Sequence, residues 1–190
     1  MRICSYLKKE KLPLIITIIG SMGSGKTTLT NIIHEKCFPE FTKYYLDDVD
    51  ELNNIVGASD KYYIVFDDFS YKVTGRRKED QVKLNKIFRV RHILGTDNIV
   101  LVFVVHYLRS LAVFLRSSQV RILTSITEPE INMYSNDYLF TISTLWDYLH
   151  YFTNHKDRYI VLYHGIRSGE HILDVTLTRR GKRKEKKDLD

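Results

Sequence analysis

Residues Gly20-Ser21-Met22-Gly23-Ser24-Gly25-Lys26-Thr27-Thr28 carry the strongest chemical signal in the chain. They fit the spacing G-x-x-x-x-G-K-[ST]. Gly20, Gly23 and Gly25 let the backbone wrap closely around an anion with its N–H groups pointing inward. A helix opening near Lys26 adds its positive N-terminal end. The Lys26 ammonium would then reach the β- and γ-phosphates of a nucleoside triphosphate, and the Thr27 hydroxyl would complete the shell of a Mg2+ ion. The whole stretch from Gly20 to Thr28 is therefore expected to line a nucleotide site.

A second stretch supplies acids. Tyr62-Tyr63-Ile64-Val65-Phe66 reads as a buried strand ending in Asp67-Asp68. Asp67 is expected to hold the Mg2+ through water, and Asp68 to orient or deprotonate the attacking water. Asp47 and Asp48, closing an earlier strand, remain open as alternatives to Asp68. A third strand, Ile99 to Val105, ends at the polar His106.

The elements that must position these groups follow in order. Leu14 to Ile19 is a short β-branched run of the kind found in buried parallel strands. A helix from Thr28 to Lys36 follows the glycine loop and ends near Cys37-Phe38-Pro39. Thr42 to Leu46 is a second strand, and Val49 to Val56 a short helix stopped by Gly57. Tyr71 to Lys78 is a basic loop. Glu79 to Leu94 reads as one long helix whose apolar positions include Val82, Ile87, Val90 and Leu94, with Gly95 as its stop. Leu108 to Leu115 is expected to be helical, Val120 to Leu123 a strand, and Asn136 to His150 a core-facing helix. Tyr159–Tyr163 and His171–Leu177 are expected to form an antiparallel hairpin.

Composition narrows the classes. At 190 residues and 44% hydrophobic, the chain suits one domain, assigned to residues 1–178, followed by a basic tail at 179–190. The tail holds seven Lys/Arg and three Asp/Glu, leaving only +2 of the net +6 for the body. Cys4 and Cys37 have no metal-ligand spacing and are expected to be reduced thiols. The run from Ile99 to Val105 is too short for a membrane span, and residues 1–12 lead into no signal-peptide core. A soluble protein of the cytoplasm is expected, of the host cytoplasm if the chain is viral.

With an extra strand and helix between the glycine loop and Asp67-Asp68, and a strand ending in His106 after them, the chain resembles the additional-strand catalytic-acid division of P-loop ATPases. The resemblance covers about residues 14–125. It implies an α/β three-layer sandwich of RecA-like type, with a mainly parallel sheet and here a C-terminal β-hairpin. It also implies that His106 contacts the γ-phosphate or the attacking water. The segment from Val104 through Arg109 and Arg116 to Ser125 is similar to the FtsK–HerA branch, especially the genome-packaging ATPases of tailless viruses. That branch commonly has Asp-Glu where this chain has Asp67-Asp68, and Gln where it has His106.

Three functions follow as expectations. The first is a Mg2+-dependent ATPase motor that forms a homo-oligomeric ring and moves nucleic acid, double-stranded DNA above all, without reading its sequence. Such motors complete each site with a neighbour's arginine. Arg109 and Arg116 are favoured for that role over Arg89 and Arg91. The basic loop and tail would contact phosphate backbones. The second is a small-molecule or nucleotide kinase, which lacks the inserted strand. The third is a slow nucleotide-binding switch.

Overall fold

The computed structural model describes residues 2–69, 77–106, 115 and 118–125, together with the backbone of two strands at 158–164 and 170–176. The expected helix over 136–150, Arg109, Arg116, most of the basic loop and the tail lie outside the described residues.

Parallel strands dominate because their residues are apolar on both faces. β1 (Leu14–Ile19), β3 (Tyr62–Phe66), β4 (Ile99–Val105) and β5 (Val120–Leu123) are buried almost throughout, as strands sandwiched between two helical layers must be. β2 (Thr42–Leu46) lies at the sheet's edge and is more exposed. The order is β2-β3-β4-β1-β5-β6-β7. The first five strands run parallel, and β6 (Arg158–His164) and β7 (Glu170–Thr176) close the sheet as the expected antiparallel hairpin. The long apolar strand β4 is thus inserted between β1, which leads into the glycine loop, and β3, which ends in the two acids. This is the P-loop NTPase α/β sandwich.

The period-two alternation of β4 divides the core. Ile99, Leu101, Phe103 and Val105 face one layer; Val100, Val102 and Val104 face the other. On the second face lie α1 (Arg2–Leu7) and α2 (Lys26–Cys37), which bury Leu7, Leu29, Ile33 and Cys37. On the first face lie a 3-10 helix (Val49–Ile55), α3 (Lys78–Phe88) and α4 (Val90–Leu94). Phe103 stacks on Phe66 at 5.2 Å between centroids and meets Phe69 edge-on at 4.8 Å. These rings lock the ends of β3 and β4 side by side, directly beneath the acids.

Three local expectations need correction. The single helix over 79–94 is broken at Arg89, whose ψ of 10° leaves the helical range. Val82 is not a core residue but 57% exposed. At 100° per residue, Asp80, Leu84 and Ile87 share one face and Val82 lies nearly opposite. Ion pairs from Lys83 to Asp48 and from Lys86 to Asp50 tie α3 to the 3-10 helix in that orientation. Gly95 does end α4, at φ 69°, where a Cβ would be strained.

The cysteines are the third correction. Cys4 and Cys37 are joined in a disulfide that fastens α1 to the end of α2. They are far apart in sequence, so only the docking of α1 on α2 brings them together. This pair therefore gives no support to a reducing compartment. Among the described residues no helix is long and apolar enough to cross a membrane.

The bridge predicts its own readout. Protein unfolded without reductant should show no reactive thiol. Cys4→Ser should lower stability by roughly 2–4 kcal/mol, since the closed loop spans 33 residues. Two reactive thiols in the unreduced protein would remove the bond.

Candidate functional site

Parallel strands deliver their C-terminal ends to one edge of the sheet, where α/β folds bind ligands. β1 continues into the glycine loop, β3 into Asp67-Asp68, β4 into His106, and β5 into Thr124-Ser125. A cavity of about 430 Å³ opens at this edge, lined by loop residues, the start of α2, both acids and His106. Each of the catalytic or metal-binding residues expected from the described part of the sequence meets there.

α2 begins at Gly25, whose φ of 85° is left-handed and suits glycine. No side chain caps this helix start. Its first-turn N–H groups have no acceptor within the helix and line the cavity, which is an arrangement suited to an anion. Lys26 is 6% exposed. Its ammonium donates to the carbonyls of Gly20 and Ser21, each at 2.8 Å, and lies 3.3 Å from His106 Nδ1. Burial lowers its pKa, while the negative charges of Asp67 and Asp68 act in the opposite sense.

The acids are set by backbone geometry. Asp67 Oδ1 accepts from the Asp68 N–H at 2.9 Å, and Asp67 Oδ2 accepts from the Thr27 hydroxyl at 3.4 Å. Asp68 has a φ of 53°, a left-handed conformation that Asp tolerates better than most residues. Its carboxylate pairs with His106 Nε2. Lys26, His106 and Asp68 therefore form a continuous chain. A neutral imidazole carrying its proton on Nε2 satisfies both contacts, accepting from the ammonium and donating to the carboxylate.

The donor set fits Mg2+. Thr27 Oγ1 and Asp67 Oδ2 are hard oxygens on one side of the cavity, and Mg2+ takes few protein ligands beside phosphates and water. Among the described residues no group of three or more His, Cys, Asp or Glu could hold a metal unaided.

Several expected residues stand elsewhere. Gly20, Ser21 and Ser24 are not among the cavity's lining residues but turn toward β5. Asp48 accepts from Asp50 N–H at 3.0 Å as the cap of the 3-10 helix and pairs with Lys83. Burial works to raise its pKa, but the Lys83 and backbone hydrogen bonds outweigh that and lower it. Asp47 and Asp48 do not line the cavity, and neither do Arg89 and Arg91. Tyr45 and Asn31 form a pair outside the cavity's lining residues that sequence reasoning does not indicate. Tyr45 on β2 donates to Asn31 Oδ1 of α2 at 2.5 Å, and burial, then the charge of Asp67, raises its pKa. No motif marks either.

The geometry predicts separable losses. Lys26→Ala should lower turnover at least on the order of a hundredfold, because no other loop side chain carries a charge to the phosphates. Asp67→Asn should impair Mg2+-dependent catalysis, while Asp68→Asn should still bind nucleotide and lose turnover. Steady-state rates beside nucleotide titrations check this, and normal turnover by Asp68→Asn would send the search for the base to Asp47 or Asp48.

Solved structures resemble this fold. The genome packaging NTPase B204 of Sulfolobus turreted icosahedral virus 2, in complex with sulfate, superposes with a TM-score of 0.62 over 87% of this chain and 96% of its own, at 10% identity. The same NTPase with ATP-gammaS gives 0.60 over 83% and 95%, also at 10% identity. The N-terminal domain of zonular occludens toxin from Neisseria meningitidis gives 0.52 over 87% and 95%, at 11% identity. At such identities the likeness is one of fold. No curated protein matches the sequence. The sequence model of the family Novel STAND NTPase 3 matches residues 2–137. The chain is a P-loop NTPase and belongs to the Novel STAND NTPase 3 family.

Proposed function

We propose that this NTPase is a Mg2+-dependent ATPase that works as a ring-forming nucleic-acid motor, moving or packaging double-stranded DNA without reading its sequence. The observation that carries the ATPase part is the convergence of Lys26, Thr27, Asp67, Asp68 and His106 on one cavity, with β4 between β1 and β3. A nucleotide kinase of this fold lacks that inserted strand, so the strand order speaks against the kinase reading. The motor part leans on the overall likeness to a genome packaging NTPase and on the chain's basic charge.

The contacts support the following reaction. The uncapped start of α2 receives the phosphates, and the Lys26 ammonium turns from the Gly20 and Ser21 carbonyls toward them. A bound Mg2+, held by Thr27 and Asp67, would neutralise phosphate charge. Asp68 orients the attacking water and accepts its proton. His106, touching both Lys26 and Asp68, holds the acid in register with the phosphate end of the site. Arg109 or Arg116 of a neighbouring copy supplies the remaining positive charge in the transition state.

ATP turnover should therefore rise with protein concentration and again on adding DNA. Turnover indifferent to both, yet responsive to a small phosphate acceptor, would favour a kinase; slow turnover indifferent to all three would favour a switch. Arg116→Ala and Arg109→Ala should bind ATP normally and hydrolyse it poorly. Mixing either with Lys26→Ala should restore activity, because the Lys26→Ala copy can still lend its arginine. Dead mixtures from variants that assemble normally would refute an inter-subunit role for these two arginines.

The tail offers an independent check. Deleting 179–190 removes seven Lys/Arg and should weaken DNA binding and flatten its salt dependence, leaving basal turnover nearly unchanged. An unaltered salt slope would leave the tail without a role in binding.

A further inference from the structure

Behind the glycine loop, on the side away from the cavity, the end of β5 grips the loop through four hydroxyl groups. The Ser21 N–H donates to Ser125 Oγ at 2.7 Å, and the two serine hydroxyls lie 3.0 Å apart. Ser24 Oγ lies 2.5 Å from Thr124 Oγ1. Thr124 Oγ1 itself donates to the Ile19 carbonyl at 3.2 Å, so the Ser24 hydroxyl is the donor to Thr124. The backbone continues the same attachment, with Thr124 N–H donating to Ile19 O at 2.8 Å.

Gly20 shows how close this contact is. A Cβ at Gly20 would come within 2.0 Å of Thr124 Oγ1 and 2.7 Å of Ser24 Oγ. Its backbone is not among those with positive φ. Gly20 is glycine because the threonine of β5 occupies the space a side chain would need, not because of an unusual turn. Thr124 is buried, and neither Thr124 nor Ser125 lines the cavity.

We propose that Thr124 and Ser125 are positioning residues for the phosphate loop, a hydroxyl clasp that holds Ser21 and Ser24 so that the opposite side of the loop faces the phosphates. This rests on the nucleotide reading of the cavity. A loop containing Gly20, Gly23 and Gly25 has many conformations to lose on binding. Tying two of its residues to a buried strand removes much of that loss before the ligand arrives. Lys26 secures the loop from the cavity side through the Gly20 and Ser21 carbonyls, and these are the bonds a phosphate must take over. During that exchange the clasp still holds the loop, beside the Gly20 N–H bond to the Val105 carbonyl.

The test measures ATP-gammaS affinity and ATP turnover on the full chain, with thermal unfolding as a control. Thr124→Val and Ser125→Ala should each weaken binding about five- to tenfold, the effect of losing that hydroxyl's hold on the loop, with the unfolding temperature little changed. Thr124→Ser should restore the affinity. In a Ser24→Ala background, Thr124→Val should cost clearly less affinity than it does alone, because their shared bond is already gone and only the bond to the Ile19 carbonyl is left to lose. If Thr124→Val unfolds, Ser24→Ala breaks the same bond from the loop side and should show the same loss. Unchanged affinity in Ser24→Ala and Ser125→Ala, or fully additive losses in the double variant, overturns the clasp while leaving the nucleotide site intact. No binding by the unsubstituted chain overturns the nucleotide reading, and the clasp's role with it.

Discussion

The site depends on one buried cation. Lys26 Nζ has three N–H donors and three acceptors around it: the Gly20 carbonyl, the Ser21 carbonyl and His106 Nδ1. Those acceptors belong to the ends of two different strands, and the carboxylates that oppose its desolvation belong to a third. An ammonium taken out of water without such partners costs several kcal/mol and tends to lose its proton. The converging strand ends thus stabilise the charge, and the charge in turn holds them together. A phosphate entering the cavity finds this cation already placed and needs only to replace two neutral carbonyls with anionic oxygens.

Strand β4 makes that convergence possible. Its insertion between β1 and β3 puts His106 between the loop and the acids, so one imidazole can touch Lys26 and Asp68 at once. Were β3 adjacent to β1, no strand end would lie between lysine and carboxylate. The apolar alternation of β4, buried on both faces, buys this position. Phe66 and Phe103, register partners in the β3–β4 ladder, add a stacked ring contact to that pairing.

Much of this was legible in the sequence because the relevant signals are local. The glycine loop, the apolar runs of β1, β3 and β4, and the polar residues at their ends lie within short windows. What stayed hidden depends on partners distant in sequence. Val82 has a core residue's chemistry, but the ion pairs of Lys83 and Lys86 with residues on the 3-10 helix help decide which face of α3 turns inward. Cys4 and Cys37 looked like isolated thiols until α1 docked on α2. Ser21 and Ser24 read as nucleotide-lining residues, and their attachment to Thr124 and Ser125 stays hidden because those partners follow about a hundred positions later, just past a strand with no motif of its own.

For the base of the proposed reaction, geometry speaks to the alternative that spacing leaves open, Asp47 or Asp48 in place of Asp68. Asp47-Asp48 and Asp67-Asp68 are both acidic pairs closing parallel strands. Asp48, however, spends its carboxylate on a helix cap and on Lys83, bonds that hold the 3-10 helix against α3. Asp68 is 60% exposed at its side chain and pairs with His106, which is itself part of the cavity wall. A base must be free to exchange its hydrogen-bond partner for water, and a carboxylate locked by an ammonium and a backbone N–H is poorly suited to that. The left-handed backbone at Asp68 has a cost for any residue other than glycine. That cost is set against the contact it allows, a carboxylate aimed back across the strand ends at His106.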